Sequence, residues 1–154
     1  MSRPGDVKVA ELPMPEPKEN EVLLRIKMAG ICTNDVRDYK GDCSYSYPRI
    51  GGHEYGGVIE KLGTGVDSRQ FAVGQKAVAY IIEDCHSCHY CRTGNGNICF
   101  HHAESPVFQN PDGISGYGGF SEYKIVKAED LFVYHEETSF EKMAFTEPLA
   151  CVVN

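Results

Sequence analysis

The chain has 154 residues, 42% hydrophobic and 24% charged, and its 15 basic against 22 acidic side chains give a formal net charge of −7. That length is one domain's worth with a core of its own, while the acidic balance and the lack of a basic stripe argue against nucleic-acid or acidic-membrane partners. No apolar run approaches a membrane span and no h-region opens the sequence, so its seven cysteines are expected in a reducing cytoplasm.

In chain order, the stretch Leu12 to Pro17, L-P-M-P-E-P, reads as a surface connection, because proline lacks the N–H that a central sheet needs. Val22 to Met28 alternates as V-L-L-R-I-K-M, a half-buried strand. Cys32 follows in G-I-C-T-N-D, and a single cysteine after a strand is either a small buried hydrophobe or a ligand. Tyr39, Tyr45 and Tyr47 come next, residues that either stack on a ligand or fill a loop. His53 and Glu54 stand in G-G-H-E-Y-G-G, a surface loop or a working pair. Gly51, Gly52, Gly56 and Gly57 beside them let the backbone press close to a neighbour. Gly56 to Leu62 and Ala77 to Ile82 are strand-like runs bounded by glycines.

The densest signal is C-H-S-C-H-Y-C-R-T-G-N-G-N-I-C, which places Cys85, Cys88, Cys91 and Cys99 in one short loop. Such spacers let one segment wrap a tetrahedral zinc ion, with Gly94 and Gly96 turning the longer spacer back on itself. The spacings are too tight for comfortable disulfide pairing. Four thiolates close the coordination shell, so residues 84–100 are expected to form a structural zinc lobe. His86, His89, His101 and His102 surround it and read as a solvated loop. Phe120 to Val126 and Leu131 to Tyr134 complete a mainly β pattern. Thr138 with Glu141 forms a capping-box pattern, and Glu147-Pro148 opens a second helix, so residues 139–154 are expected to be helical. The position of Glu147 is equally that of an acidic first turn.

Taken in order, G-I-C-x-x-D, G-H-E-x-x-G, the four-cysteine lobe, G-G-F-S-E-Y and E-P-L-A resemble the zinc-dependent medium-chain dehydrogenase/reductases. The likeness runs from Pro4 to Asn154 and is nearest the alcohol, polyol and threonine dehydrogenase branches. It implies a GroES-like, partly open β-barrel with short helices over residues 1–154, followed by a Rossmann domain that is absent from this chain. It implies two zinc ions, one structural in the lobe and one catalytic. The catalytic ion is assigned to Cys32, His53 and a glutamate: Glu147 by the polyol-dehydrogenase pattern, or Glu54, which family members exchange with water. Asp35 is expected to accept a ring N–H of His53, and Asn34 stands where the family carries a Ser or Thr that relays a proton. The implied reaction is oxidation of a secondary alcohol or polyol through a zinc-bound alkoxide, with hydride passing to NAD or NADP.

Two departures qualify the expectation. Only Met1 to Arg3 precede Pro4, so the family's opening strand is short or absent, and no G-x-G-x-x-G follows a strand. The chain alone is therefore expected to be inactive and to expose apolar surface around Leu149, Val152 and Val153. Small-molecule alcohols and a homo-oligomeric assembly are the expected partners. The alternative reading is a non-catalytic zinc-binding or oligomerisation module.

Overall fold

The computed structural model describes residues 1–108 and 113–153; Asn154, the end of the expected helical segment, lies outside them. Five strands form one antiparallel sheet: β1 (Glu21–Ala29), β2 (Tyr55–Leu62), β3 (Lys76–Ala79), β4 (Tyr123–Lys127) and β5 (Leu131–Val133). Their spatial order is β4-β1-β2-β3-β5, so the two edge strands are neighbours in sequence. One short turn, Ala128–Asp130, joins them. A flat sheet of five strands would hold its edges about 19 Å apart, whereas the chain from Lys127 to Leu131 reaches at most about 14 Å. The sheet therefore has to curl, which produces the partly open, GroES-like barrel.

The core lies inside that curl. Val22, Leu24 and Ile59 are fully buried, and Tyr55, Ala77, Val126 and Leu131 close around them. Leu23 is also buried, on the opposite face from Leu24, and a register shift in the pairing with β2 falls between these two residues. Helix α3 (Phe140–Ala144) packs on β2 through Met143, which is fully buried. A side chain at Gly56 would place its Cβ 2.7 Å from that of Met143, so glycine is what lets the helix come down on the strand.

Several boundaries differ from expectation. The third strand stops at Ala79 rather than Ile82, although the Tyr80 N–H still donates to Asp130 O at 2.7 Å. The fourth begins at Tyr123, because Phe120 spends its N–H on Gly51 O instead of a ladder partner. The cap of α3 is Ser139, whose Oγ accepts from the Lys142 N–H at 3.4 Å, one residue later than Thr138. Helix α4 (Thr146–Val153) carries Glu147 and Pro148 in its first turn as expected. Helix α1 (Thr33–Lys40) was not anticipated, although it is well signalled: Asp35 closes its start and Gly41, at φ 83°, ends it. The opening residues form only an isolated bridge between Arg3 and Asp6, and residues 7–17 carry no regular structure. Among the described residues no helix is long and apolar enough to cross a membrane.

Candidate metal centres

Among the described residues two groups of side chains converge so that their ligand atoms lie within 4.8 Å of one another: Cys85, Cys88, Cys91 and Cys99, and separately Cys32, His53 and Glu54. The first is made locally. Cys88 caps the single turn of α2 (His89–Arg92), Gly94 at φ 82° reverses the chain, and a tight turn at Gly96–Ile98 returns Cys99 to the group. The Sγ atoms of Cys85 and Cys91 are 3.8 Å apart and those of Cys88 and Cys91 are 3.4 Å apart. A zinc tetrahedron with Zn–S near 2.3 Å has edges of about 3.8 Å, whereas a disulfide needs about 2.05 Å. All seven cysteines are free, and the sulfurs match the ion.

The surroundings favour thiolate at Cys85. The Cys88 N–H donates to Cys85 Sγ at 3.3 Å, the Ser87 hydroxyl to the same sulfur at 3.4 Å, and the His101 N–H to Cys99 Sγ at 3.3 Å. With the Ser87 hydroxyl as the main cause, the Cys85 thiol is brought down to about 5, while desolvation pushes its neighbour Cys91 up to about 12. The group thus shares protons that a cation would replace. The lobe histidines have local partners of their own. His86 meets Asp84 and His101 meets Glu104, both at 3.1 Å, His102 lies 3.3 Å from Glu83 O, and the His89 ring packs on Tyr90.

The second group is assembled from distant segments. Cys32 caps α1 at the end of β1, and His53 and Glu54 lead into β2. The Gly30 N–H donates to Glu54 O at 2.7 Å, tying the two strand ends together, and any side chain at Gly30 would collide with the Glu54 carboxylate. Asp35 accepts the Cys32 N–H through Oδ2 at 2.9 Å and the Gly52 N–H through Oδ1 at 3.1 Å. Each of its oxygens thus accepts a backbone N–H, neither is bonded to the His53 ring as expected, and together they pin the two ligand-bearing loops to each other.

A third segment clamps the site from the other side. The N–H groups of Gly118, Gly119 and Phe120 donate to the carbonyls of Ile50, Gly52 and Gly51 at 3.0, 2.9 and 3.0 Å. Gly52 adopts φ 82°, and a Cβ there would lie 2.6 Å from the Phe120 ring, so both conformation and space require glycine. The Tyr117 ring sits 5.3 Å from the His53 ring, which is only 8% exposed. Burial pushes the Cys32 thiol up, and the nearby Glu54 carboxylate adds to the effect. A thiol, an imidazole and a carboxylate facing one another in this way fit a divalent cation.

Of the two candidate glutamates, Glu54 belongs to the converging group and Glu147 does not; Glu147 instead accepts from Cys151 Sγ at 3.6 Å. Asn34 is exposed and lines a hollow of 470 Å³ with Arg37, Ser44, Tyr45 and Phe108. Sequence reasoning missed the pair Asp38 and Arg49, buried at 2.6 Å. The Tyr47 hydroxyl donates to Asp38 Oδ1 at 2.6 Å and the Arg49 guanidinium covers the Tyr45 ring at 4.0 Å, so both tyrosines serve this pair. An acidic residue six positions after Cys32 was the available signal.

Comparison with known proteins places the chain in a family. Residues 18–136 match the alcohol dehydrogenase GroES-like domain. The sorbitol dehydrogenase of Halalkalibacterium halodurans is 33% identical over 150 residues, which are 96% of this chain and 40% of that protein. The structure of the short chain alcohol dehydrogenase RspB from Escherichia coli CFT073, complexed with NADH, has a TM-score of 0.83 at 31% identity, over 99% of this chain and 42% of that one. A cobalt- and zinc-bound thermostable alcohol dehydrogenase from Pyrobaculum aerophilum has a TM-score of 0.77 at 30% identity, over 94% and 42% of the two chains. The chain thus spans about two fifths of the length of these relatives. With the curled sheet, the cysteine lobe and the motif order all in agreement, this chain belongs to the alcohol dehydrogenase GroES-like domain family.

Proposed function

We propose that this chain is the catalytic-domain portion of a zinc-dependent NAD(P) alcohol or polyol dehydrogenase, with a structural zinc in the lobe and a catalytic zinc on Cys32, His53 and Glu54. The observation that carries the reading is the convergence of those three unlike ligands, brought together from separate segments. Zinc bound there supplies Lewis acidity that lowers the pKa of an alcohol. The chain's own residues do the rest. Cys32 and His53 hold the ion, and Glu54 is the exchangeable ligand that frees a position for substrate oxygen. Asp35 fixes the two loops, and Asn34 offers a hydrogen bond to a substrate hydroxyl but, as an amide, moves no proton. The nicotinamide has to be held about 3–3.5 Å from the substrate carbon by groups beyond this domain, so the isolated domain is inactive. We place the whole protein in the cytoplasm as a homo-oligomer acting on a small alcohol or polyol.

Elemental analysis tests the reading. Two zinc ions per chain are expected, falling to one in Cys32→Ala with the lobe's ion retained. A single ion in the parent chain, unchanged by Cys32→Ala, would rule out the second centre.

A further inference from the structure

Lys124 breaks the pattern of its strand. It pairs with Leu24 across the sheet, and directly opposed residues of antiparallel strands point to the same face. Leu24 is fully buried, so the lysine stands where the core asks for an apolar side chain. Burial accordingly pushes its ammonium below the ordinary lysine value, and the Glu83 carboxylate acts against that shift. A charge kept in such a place is costly unless its partners are well chosen.

Its partners belong to two segments that adjoin the second metal group, one through ring contact and one through the chain. The Lys124 ammonium donates to the carbonyl of Tyr117. The same ammonium lies 6.0 Å from the centroid of the Tyr55 ring. Tyr55 immediately follows His53 and Glu54, and Tyr117 is the residue whose ring rests 5.3 Å from His53. The Lys124 stem also runs along Gly118, whose N–H is bonded to Ile50 O. One side chain therefore spans the clamp segment and the ligand segment from the core side, where the backbone bonds at residues 118–120 do not reach.

We propose that Lys124 is a positioning residue for the Cys32, His53 and Glu54 centre: its half-buried, inward-facing side chain holds Tyr117 against His53 and so fixes the imidazole for metal. It touches neither metal nor substrate. Outer residues that orient a ligating histidine typically change metal affinity by about 10–100-fold when removed. The inference rests on the second metal centre proposed above, and the two fail differently.

The test is zinc competition against a chromophoric chelator on the whole chain, with cobalt substitution to report ligand geometry. Lys124→Met keeps the length and apolar stem but removes the donor. It should weaken the second ion about tenfold or more and alter its cobalt spectrum, while the lobe's ion is unchanged; Lys124→Arg should restore most of the affinity. Tyr117→Leu keeps the carbonyl but removes the ring, and it should weaken the same ion if Lys124→Met does not fold. Affinity of the second ion within twofold of the parent in a folded Lys124→Met, or in Tyr117→Leu, would overturn the role of Lys124. Equal weakening of both ions would do the same, by reducing the effect to general destabilisation. A parent chain that holds no second ion would instead overturn the metal centre itself.

Discussion

The two cysteine-bearing groups of this molecule are built on opposite plans. The lobe draws its four ligands from one stretch of 15 residues, Cys85 to Cys99, and the fold around it is little more than turns. The second group draws on Cys32 and on His53 and Glu54, 21 residues further on, and needs a curled sheet, a helix start and a clamping loop to bring them together. On the proposed reading the lobe, with few contacts beyond its own turns, should depend on its ion for its shape, whereas the second site should keep its shape through the sheet, the helix start and the clamping loop when the ion is removed.

Metal removal should separate the two most sharply. Binding of structural zinc is worth roughly 10 kcal/mol or more of local folding free energy at neutral pH. Stripping zinc with a strong chelator should therefore unfold residues 84–100 while β1 and β2, held by Val22, Leu24 and Ile59, remain. Hydrogen exchange measures this directly: lobe amides should lose protection and amides of the paired strands should keep it. Protection of both segments after complete removal of zinc would erase the contrast.

The same contrast explains what could be seen in the sequence. The lobe was legible because its ligands are neighbours, and four cysteines at short spacing need no tertiary knowledge to be read. Strands β1 and β2 were legible through alternation and bounding glycines. The second site was visible only as motif order, since nothing local says that Cys32 and His53 meet. What escaped was decided by tertiary geometry. Asp35 was expected on the His53 ring, but both its oxygens are claimed by backbone N–H groups that only the folded loops bring near. Helix α1 went unread because its polar sequence carries no apolar stripe, although its start and stop residues were present. Lys124 gave no sign of facing inward, because that direction comes from the register with Leu24.

Breaking the scaffold rather than the ligands should act on one group alone. Asp38 and Arg49 are 3% and 2% exposed, and the pair anchors α1, the helix that Cys32 caps. Removing one partner leaves the other charge buried and unpaired, at a cost of about 3–5 kcal/mol. Asp38→Ala should lower the free energy of unfolding by that amount and weaken the second ion. The lobe, which shares no element with α1, should hold its zinc as before. Denaturant titration followed by zinc counting checks both halves, and loss of the lobe's ion in Asp38→Ala would show that the two groups are mechanically joined.

The smallest expected effect decides which glutamate belongs to the second site. Family resemblance points to Glu147, whereas convergence of ligand atoms selects Glu54. Glu147 sits half-buried in the first turn of α4, outside the converging group, and accepts from Cys151 of its own helix at 3.6 Å, so losing its charge should disturb little. Glu54 lies against Cys32 and contributes to the rise of that thiol, so its loss should be felt at the ligand itself. Glu54→Gln should therefore reduce second-site zinc affinity about tenfold or more, while Glu147→Gln should leave it within about twofold. Loss of the ion in Glu147→Gln, with Glu54→Gln unaffected, would mean that α4 swings its carboxylate in to complete the site. The second group would then be finished by its metal, as the lobe is, and the difference in plan between the two would narrow to one of distance along the chain.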